Sequence, residues 1–220
     1  AADFIDHMID WLEPAPGSRM LDLACGAGRH SKRLASKGFR VTGIDLASAS
    51  IREAKKSQTD SLNFIRHDMR DPFGFNQFDY IFNLFTSFGY FRTEFENEKV
   101  IRNMSRALRN GGKLVFDYLN TRYAEDRLMP FEEKEIDGIC YHITRWMDEK
   151  FFYKKIVIDE SEAGQPFEHI EQVARFTLHD LERMFAVSGF YIEEVFGDYS
   201  LSSFDPELSP RLIIVFGFKI

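Results

Sequence analysis

One acid and two glycines stand out near the start of the chain, where residues 21–28 read LDLACGAG. Asp22 lies within an apolar run, and Gly26 and Gly28 follow it in the next turn. Glycine accepts positive φ and lets the backbone approach a ligand where a Cβ would collide. A buried carboxylate beside such a turn suits a ligand with a cationic group, such as an amine. We therefore interpret the segment as a ligand-binding turn.

Two phosphate-binding motifs fit this turn poorly. A P-loop places Lys and Ser or Thr directly after its last glycine, whereas Arg29 and His30 follow here. The dinucleotide fingerprint places Gly or Ala three residues after its second glycine, and Ser31 occupies that position. An NAD(P)-dependent oxidoreductase is therefore the less favoured alternative.

Two further acids follow later apolar segments. Asp45 ends the segment FRVTGID, where its carboxylate can accept hydrogen bonds from both hydroxyls of a ribose. Asp68 ends LNFIRHD, where it can accept the exocyclic amine of adenine, with Met69 against the ring. An amino acid end, a ribose and an adenine, with no provision for phosphate, together describe S-adenosylmethionine.

Alternating elements explain how these residues come together. Strands are predicted at 20–24, 39–45, 62–68, 78–85 and 113–120, with helices between them. This alternation is typical of a doubly wound parallel α/β sheet, which binds ligands beyond the carboxyl ends of its strands. The turn, the three acids, Asn83 and Asn120 are then expected on one rim.

The pattern changes after residue 130. EIDGICYHITRWM, KFFYKKIVIDE and PFEHIEQVARFT predict three antiparallel strands inserted after the fifth parallel strand. A helix capped by Thr177 and Asp180 follows, and two further strands end the chain. We expect residues 1–130 and 174–220 to form the ligand-binding domain, and residues 131–173 to form an inserted lid or substrate subdomain.

The motifs together resemble a known family. DLACGAG, GIDLAS, HDMRD, FDYIFNLFTSFGYF and RALRNGGKLVFDYLN look like the ordered motifs of class I S-adenosylmethionine-dependent methyltransferases. SFGYF and the insertion are similar to the small-molecule branch that includes amino-sugar N,N-dimethyltransferases. The resemblance implies a seven-stranded sheet in the order 3-2-1-4-5-7-6, with strand 7 antiparallel, and methyl transfer to nitrogen or oxygen of a small soluble molecule.

The resemblance also implies roles for individual residues. The methionine part of the cofactor would be held by Asp22, Ala24, Gly26 and Gly28, and the ribose by Asp45 and Leu46. Asp68 and Met69 would hold the adenine, and Asn83 and Leu84 would line the base of the site.

Four residues are candidates for a catalytic role in proton transfer or acceptor positioning: Tyr90, Tyr118, Asn120 and His142. Aromatic residues of the insertion suit either an acceptor pocket or a homodimer interface, and the sequence leaves both open: Tyr141, Trp146, Phe151, Phe152 and Tyr153. A non-catalytic S-adenosylmethionine-binding module is a second alternative to the enzyme.

Composition excludes several other classes. The net charge is −7 and no block of Lys or Arg occurs, so nucleic acid and anionic membranes are not expected as partners. No segment approaches the roughly 18–20 apolar residues of a membrane span. Cys25 and Cys140 match no metal spacing, so we expect no metal and a cytoplasmic location. Because the chain opens AADFIDHM, without an initiator methionine, the native protein is expected to begin earlier.

Overall fold

Helices and strands alternate along the computed structural model, which describes residues 2–158 and 167–219. The helices are α1 (Ala2–Leu12), α2 (Arg29–Ser36), α3 (Ser48–Lys55), α4 (Glu94–Ala107), α5 (Thr121–Asp126) and α6 (Leu178–Ala186). The strands are β1 (Arg19–Leu23), β2 (Arg40–Asp45), β3 (Leu62–Arg66), β4 (Phe78–Asn83), β5 (Leu108–Leu119), β6 (Phe131–Ile136), β7 (Ile139–Met147), β8 (Phe151–Ile158), β9 (Phe167–Ala174), β10 (Phe190–Phe196) and β11 (Arg211–Phe218). Within the described ranges, no helix has the length and apolar character needed to cross a membrane.

A seven-stranded sheet has the order β3-β2-β1-β4-β5-β11-β10. The first five of these strands pair in parallel, and β11 is antiparallel to both β5 and β10. With β10 and β11 counted as strands 6 and 7, this is the predicted order 3-2-1-4-5-7-6, and the doubly wound fold class is confirmed.

Both faces of this sheet are covered by apolar packing. In β1, Leu21 and Leu23 belong to the cluster on one face, and Met20 belongs to the cluster on the other face. Parallel strands buried on both faces are continuously apolar because neither face meets water. This explains why Asp22 stands out in the sequence, since its strand neighbours all face a core.

The insertion forms a separate antiparallel sheet of four strands in the order β6-β7-β8-β9. The prediction of three strands was wrong, because EIDGICYHITRWM divides at Asp137 and Gly138 into β6 and β7. Both turn residues have positive φ, 53° and 79°, and Ile136 pairs with Ile139 across them. A two-residue turn with positive φ at both positions is the preferred hairpin connection. Residues 159 and 160 of the predicted second strand, residue 166 of the third and the turn predicted between them lie outside the described residues.

Helix α6 begins at the predicted cap. The Thr177 Oγ1 accepts a hydrogen bond from the Asp180 backbone N–H at 3.2 Å, and the Thr177 N–H donates to Asp180 Oδ2 at 3.0 Å. This reciprocal pair satisfies two backbone donors at the helix start. The cap prediction is confirmed.

The end of β9 is tied to the main sheet at Ala174. The Ala174 N–H donates to the Gly89 carbonyl at 2.8 Å, and the Ala174 carbonyl accepts from the Tyr118 hydroxyl at 2.6 Å. A Cβ on Gly89, whose φ is +88°, would fall 2.3 Å from the Tyr118 oxygen. The inserted sheet, β5 and the loop after β4 are therefore held together at one point.

Replacing Tyr118 by Phe should lower the free energy of unfolding by about 1–3 kcal/mol, because it leaves the buried Ala174 carbonyl without its donor. Urea denaturation measures the change. The Tyr123→Phe variant is the control, since the Tyr123 hydroxyl makes no hydrogen bond within residues 2–158 and 167–219. Equal stabilities for the two variants would contradict the anchoring role of Tyr118.

Candidate active site

A cavity of about 200 Å³ opens at the carboxyl ends of β1, β2 and β3 and reaches the loop after β4. It brings together six residues singled out in the sequence: Ala24, Asp45, Leu46, Asp68, Met69 and Tyr90. This volume is below the roughly 300–1,000 Å³ of typical ligand sites. A ligand the size of a nucleoside with an amino acid side arm would therefore extend beyond the cavity, over the neighbouring glycine turn.

Asp45 connects two backbone segments beside the cavity. Its Oδ2 accepts from the Gly26 N–H at 2.8 Å, and its Oδ1 accepts from the Ala47 N–H at 2.7 Å. An ionised carboxylate offers about four acceptor positions. Asp45 thus fixes the glycine turn against the start of α3 and retains acceptor capacity for a ligand.

The two glycines of the turn are required for different reasons. Gly26 has φ +54°, and a Cβ added there would meet no atom within 4 Å, so its surroundings leave room for a ligand. Gly28 has φ +77°, and a Cβ there would lie 2.5 Å from the ring of Phe64 on β3. The open space at Gly26 is compatible with the expected ligand contact, which stays a prediction, whereas Gly28 makes room for the core.

Asp22 lies below the turn, nearly inaccessible to solvent, and its Oδ2 accepts from the Ser31 hydroxyl. Burial raises the pKa of Asp22 to about 6, while the hydrogen bond from Ser31 acts in the opposite direction and the charge of Asp45 adds to the increase. The cost of a buried carboxylate falls when a cation pairs with it. The chemistry of this residue fits a ligand that carries an ammonium group.

In the side-chain amide of Asn83, at the end of β4, the nitrogen has a hydrogen-bond partner among the described residues and the oxygen has none. Its Nδ2 donates to the Leu23 carbonyl at 3.1 Å, and Leu23 lines the cavity. Its Oδ1 is fully buried and has no hydrogen-bond partner within residues 2–158 and 167–219. A buried acceptor without a donor is costly, so this oxygen is available to a ligand donor or a water molecule. The next residue, Leu84, is buried in the core beside the site.

Asp68 already has a partner on its own loop. Arg70 donates from Nη2 to Asp68 Oδ2 at 2.7 Å and from Nη1 to Glu96 Oε1 at 2.8 Å. The Arg70 side chain, through its hydrogen bonds, holds the pKa of Asp68 below its usual range. Arg70 also lies over the ring of Phe91, 5.4 Å from its centroid. The role of Asp68 as the acceptor of an adenine amine stays a prediction, and it would require this carboxylate to share its oxygens with Arg70.

The loop after β4 is held in an unusual conformation by Asp117. Phe85 and Thr86 have φ values of 57° and 56°, which non-glycine residues adopt at a cost. The Asp117 Oδ2 accepts from the Phe85 N–H at 2.8 Å, and its carbonyl accepts from the Thr86 N–H at 3.1 Å. The Arg211 Nε donates to Asp117 Oδ1 at 2.8 Å, and its Nη2 donates to Thr86 Oγ1 at 2.8 Å. This network fixes the start of the loop that carries Tyr90.

Tyr90 lines the small cavity, and the residue before it, Gly89, is bonded to Ala174, which follows Val173 in the lining of a larger cavity of about 530 Å³. The larger cavity lies between α5, the inserted sheet and the start of β11, and Glu171 and Arg211 are part of its lining. Burial raises the pKa of the Tyr90 phenol; the charge of Glu171 raises it further, and that of Arg211 opposes the increase. This agrees with the hydrogen bond from the Ala174 N–H to the Gly89 carbonyl, which joins the loop that carries Tyr90 to the end of β9.

The other three catalytic candidates are engaged elsewhere. Tyr118 is buried and bonded to Ala174, and Asn120 donates from Nδ2 to the carbonyls of Pro206 and Ser209 at 2.9 and 2.8 Å. His142 pairs with Glu133, with 3.0 Å between its Nδ1 and Oε1. Side chains alternate between the faces of a strand, so His142 lies on the opposite face from Arg145, which lines the larger cavity. These contacts favour structural roles for all three residues.

Several residues at the site were not singled out in the sequence. Arg70, Ser87 and Phe91 line the small cavity, and Glu171 and Arg211 line the larger one. Asp117 offered a signal of the kind that identified Asp22, an acid within an apolar strand. Of the five insertion aromatics, Phe152 and Tyr153 line the larger cavity. In the described part of the chain, no three His, Cys, Asp or Glu side chains group in a way that could hold a metal ion.

Comparison with protein families and curated proteins identifies relatives. Residues 20–112 match the family model described as a methyltransferase domain. YqeM of Bacillus subtilis (strain 168), a protein named as a methyltransferase, is 31% identical to this chain over 211 residues. The match covers 89% of this chain and 83% of YqeM.

Solved structures share the fold. An S-adenosylmethionine-dependent methyltransferase from Clostridium acetobutylicum ATCC 824 superposes with a TM-score of 0.84 at 19% identity, covering 100% of this chain and 91% of that one. CalS10, an amino pentose methyltransferase from Micromonospora echinaspora solved with S-adenosylmethionine bound, has a TM-score of 0.71 at 22% identity, with coverages of 99% and 89%. At these identities the likeness concerns the fold.

The two glycines should respond differently to alanine. The Gly28→Ala variant adds both positive-φ strain and a clash with Phe64, so we expect it to lose about 2–4 kcal/mol of unfolding free energy. The Gly26→Ala variant adds strain alone and should lose about 1–2 kcal/mol. Urea denaturation of the ligand-free protein measures both losses. A loss at Gly26 as large as that at Gly28 would show that the clash with Phe64 is relieved.

Proposed function

Because the chain belongs to the S-adenosylmethionine-dependent methyltransferases, we propose that it methylates a nitrogen or oxygen of a small soluble molecule bound in the larger cavity. The enzyme class and the cofactor follow from the family, which removes both the NAD(P)-dependent oxidoreductase and the non-catalytic binding module as alternatives. The observation that carries the proposal is the contact between the two cavities: Gly89, next to Tyr90 in the small one, accepts a hydrogen bond from Ala174, next to Val173 in the larger one.

The small cavity and the glycine turn suit the cofactor. Asp45 retains acceptor capacity for ribose hydroxyls, and Met69 and Leu46 supply apolar contact within the same cavity. At the other end, Asp22 and the unpaired Asn83 Oδ1 suit the ammonium group of the methionine part. Gly26 leaves open space between these two ends. This arrangement supports the cofactor-binding assignments of Asp22, Gly26, Asp45, Leu46, Met69 and Asn83 made from the sequence.

Chemically, the cofactor when bound supplies an activated methyl group on a sulfonium sulfur. The task of the protein is then to bring the acceptor atom into line with the methyl–sulfur bond, and orientation of this kind can contribute about 7–11 kcal/mol. Tyr90 is the candidate for this task because it lines the cofactor cavity and follows Gly89, which is bonded to the end of the strand that lines the other cavity. The oxygen of the Tyr90 hydroxyl can accept a hydrogen bond from an N–H or O–H of the acceptor and so direct the acceptor's lone pair toward the methyl group.

The inserted sheet supplies one wall of the acceptor cavity. Phe152 and Val173 give apolar surface, and charged side chains such as Arg145 and Lys154 lie among them. We assign residues 131–173 to an acceptor-binding subdomain and residues 1–130 and 174–220 to the cofactor-binding domain. Homodimerisation through the inserted strands stays a prediction.

Transfer of label from S-adenosylmethionine tests the proposal. A cell extract is separated by ultrafiltration into a small-molecule filtrate and a macromolecular retentate, and each is incubated with the protein and methyl-labelled S-adenosylmethionine. We expect label in small molecules of the filtrate, and none with the Asp45→Ala variant, which loses the carboxylate that holds Gly26. Label that appears only in RNA or protein of the retentate would contradict a small-molecule acceptor.

Cofactor affinity should depend on pH through Asp22. Its pKa of about 6 in the folded protein means that the carboxyl is largely protonated below that pH and cannot pair with an ammonium group. The affinity for S-adenosylhomocysteine, measured by calorimetry from about pH 5 to 7.5, should therefore rise with pH, by at most about tenfold per unit, and level off above pH 6. The Asp22→Asn variant should show a flat profile. A wild-type profile that matches the variant would contradict the ammonium contact.

A further inference from the structure

Glu171 differs from the other carboxylate in the larger cavity. Glu132 is held by two cations, with Lys134 Nζ 2.7 Å from its Oε1 and Arg145 Nη2 2.7 Å from its Oε2. The Glu171 carboxylate lies 3.6 Å from Lys154 Nζ and 3.9 Å from His169 Nε2. It makes no hydrogen bond within residues 2–158 and 167–219. Glu132 is thus committed to the protein, whereas Glu171 can accept hydrogen bonds from a ligand.

The exposure of the two side chains agrees with this difference. The Glu171 side chain is 37% exposed, and that of Glu132 is 22% exposed. An ion pair between groups as exposed as Glu171 and Lys154 contributes about 0–1 kcal/mol, so it is easily exchanged for a better partner. The cavity therefore contains one carboxylate that a bound molecule can recruit.

Glu171 also lies toward the end of β9 that meets the loop after β4. It is three residues before Ala174, whose N–H donates to the carbonyl of Gly89, the residue that precedes Tyr90. Val173 lies on the same face of β9 as Glu171 and lines the same cavity. The electrostatic effect of Glu171 on the Tyr90 phenol agrees with this proximity.

We propose that Glu171 is a specificity-determining residue, which binds the protonated amine of the acceptor beside Tyr90 and selects amines over alcohols. The proposal rests on the proposed function, because it names the acceptor group for the same cavity. Glu171 acts at binding; because an ammonium has no lone pair, the bound amine passes one proton to water before its nitrogen bonds the methyl group and the methyl–sulfur bond breaks. An ammonium donates charge-assisted hydrogen bonds to a carboxylate, and an alcohol donates a single neutral hydroxyl.

The charged neighbours leave room for this role. Lys154 and His169 are the basic groups nearest to the Glu171 carboxylate, and Arg211 is bonded to the buried Asp117. Arg145, farther along the same face, is bonded to Glu132. An incoming ammonium therefore competes chiefly with Lys154 and replaces the weak ion pair between Lys154 and Glu171.

Benzylamine and benzyl alcohol test the preference for amines over alcohols, since the two molecules are similar in size and differ in the group that Glu171 would bind. Their dissociation constants are measured by NMR titration of the protein saturated with S-adenosylhomocysteine. We expect the wild type to bind benzylamine at least about tenfold more tightly than benzyl alcohol, as one charge-assisted hydrogen bond provides. The Glu171→Gln variant should bind the two equally, and the matched Glu132→Gln variant should keep the preference.

Two results would overturn the role of Glu171. One is the lack of an amine preference in the wild type, whether both probes bind equally or neither binds; the other is a preference that survives in Glu171→Gln. Calorimetry with S-adenosylhomocysteine on the same samples distinguishes a wrong role for Glu171 from failure of the proposed function. Normal cofactor binding with no amine preference counts against Glu171 alone, whereas loss of cofactor binding in the wild type counts against the cofactor site.

Discussion

The organisation of the site depends on the pairing of one buried carboxylate. Asp117 lies in the middle of the sheet with no exposed surface, where an unpaired charge would be very costly. Burial alone raises its pKa, and the charge of Arg211 opposes that increase. Its oxygens are satisfied by Arg211, by the Tyr199 hydroxyl and by the Phe85 N–H. The need to satisfy this one group joins β5, β11 and the loop after β4, and so determines where Tyr90 lies.

A second carboxylate acts in a similar way on the other side of the sheet centre. Asp45 holds the glycine turn and the first turn of α3 through two backbone N–H groups. Neither acid needs a ligand to be ordered, because each has backbone donors within reach. The walls of the cofactor site are thus largely formed in advance, and binding does not have to pay for ordering them.

Much of the fold could be predicted from the sequence because local patterns and the fold agree. The strands that carry LDLACGAG, GID and FDYIFN are apolar and end in polar residues, and the chirality of crossovers leaves few ways to arrange them. The cap at Thr177 and Asp180 follows from a pattern of four residues. The hairpin at Asp137 and Gly138 was missed although Asp-Gly is a strong hairpin signal, because the segment around it was interpreted as one continuous β-pattern.

The site could be predicted in part, and for a physical reason. Strand ends of a parallel sheet converge, so Ala24, Asp45 and Asp68 could be placed together without knowing any distance. Which side chains are satisfied by the protein itself depends on long-range contacts. Tyr118 and Asn120 bond residues 56 and at least 86 positions away, and no local pattern records such partners. The roles of Glu171 and Arg211 depend in the same way on how the inserted sheet meets the main one.

The attachment of the inserted sheet at Ala174 has a consequence for how such an enzyme can diversify. Both hydrogen bonds of the attachment use the backbone of Ala174, and one of them joins two backbones. Backbone groups are the same for every residue except proline, so the connection survives most changes in the side chains around it. The side chains of β6 to β9 can therefore change while the attachment to the main sheet is kept, and under the proposed function such changes would alter the acceptor and leave the cofactor site intact.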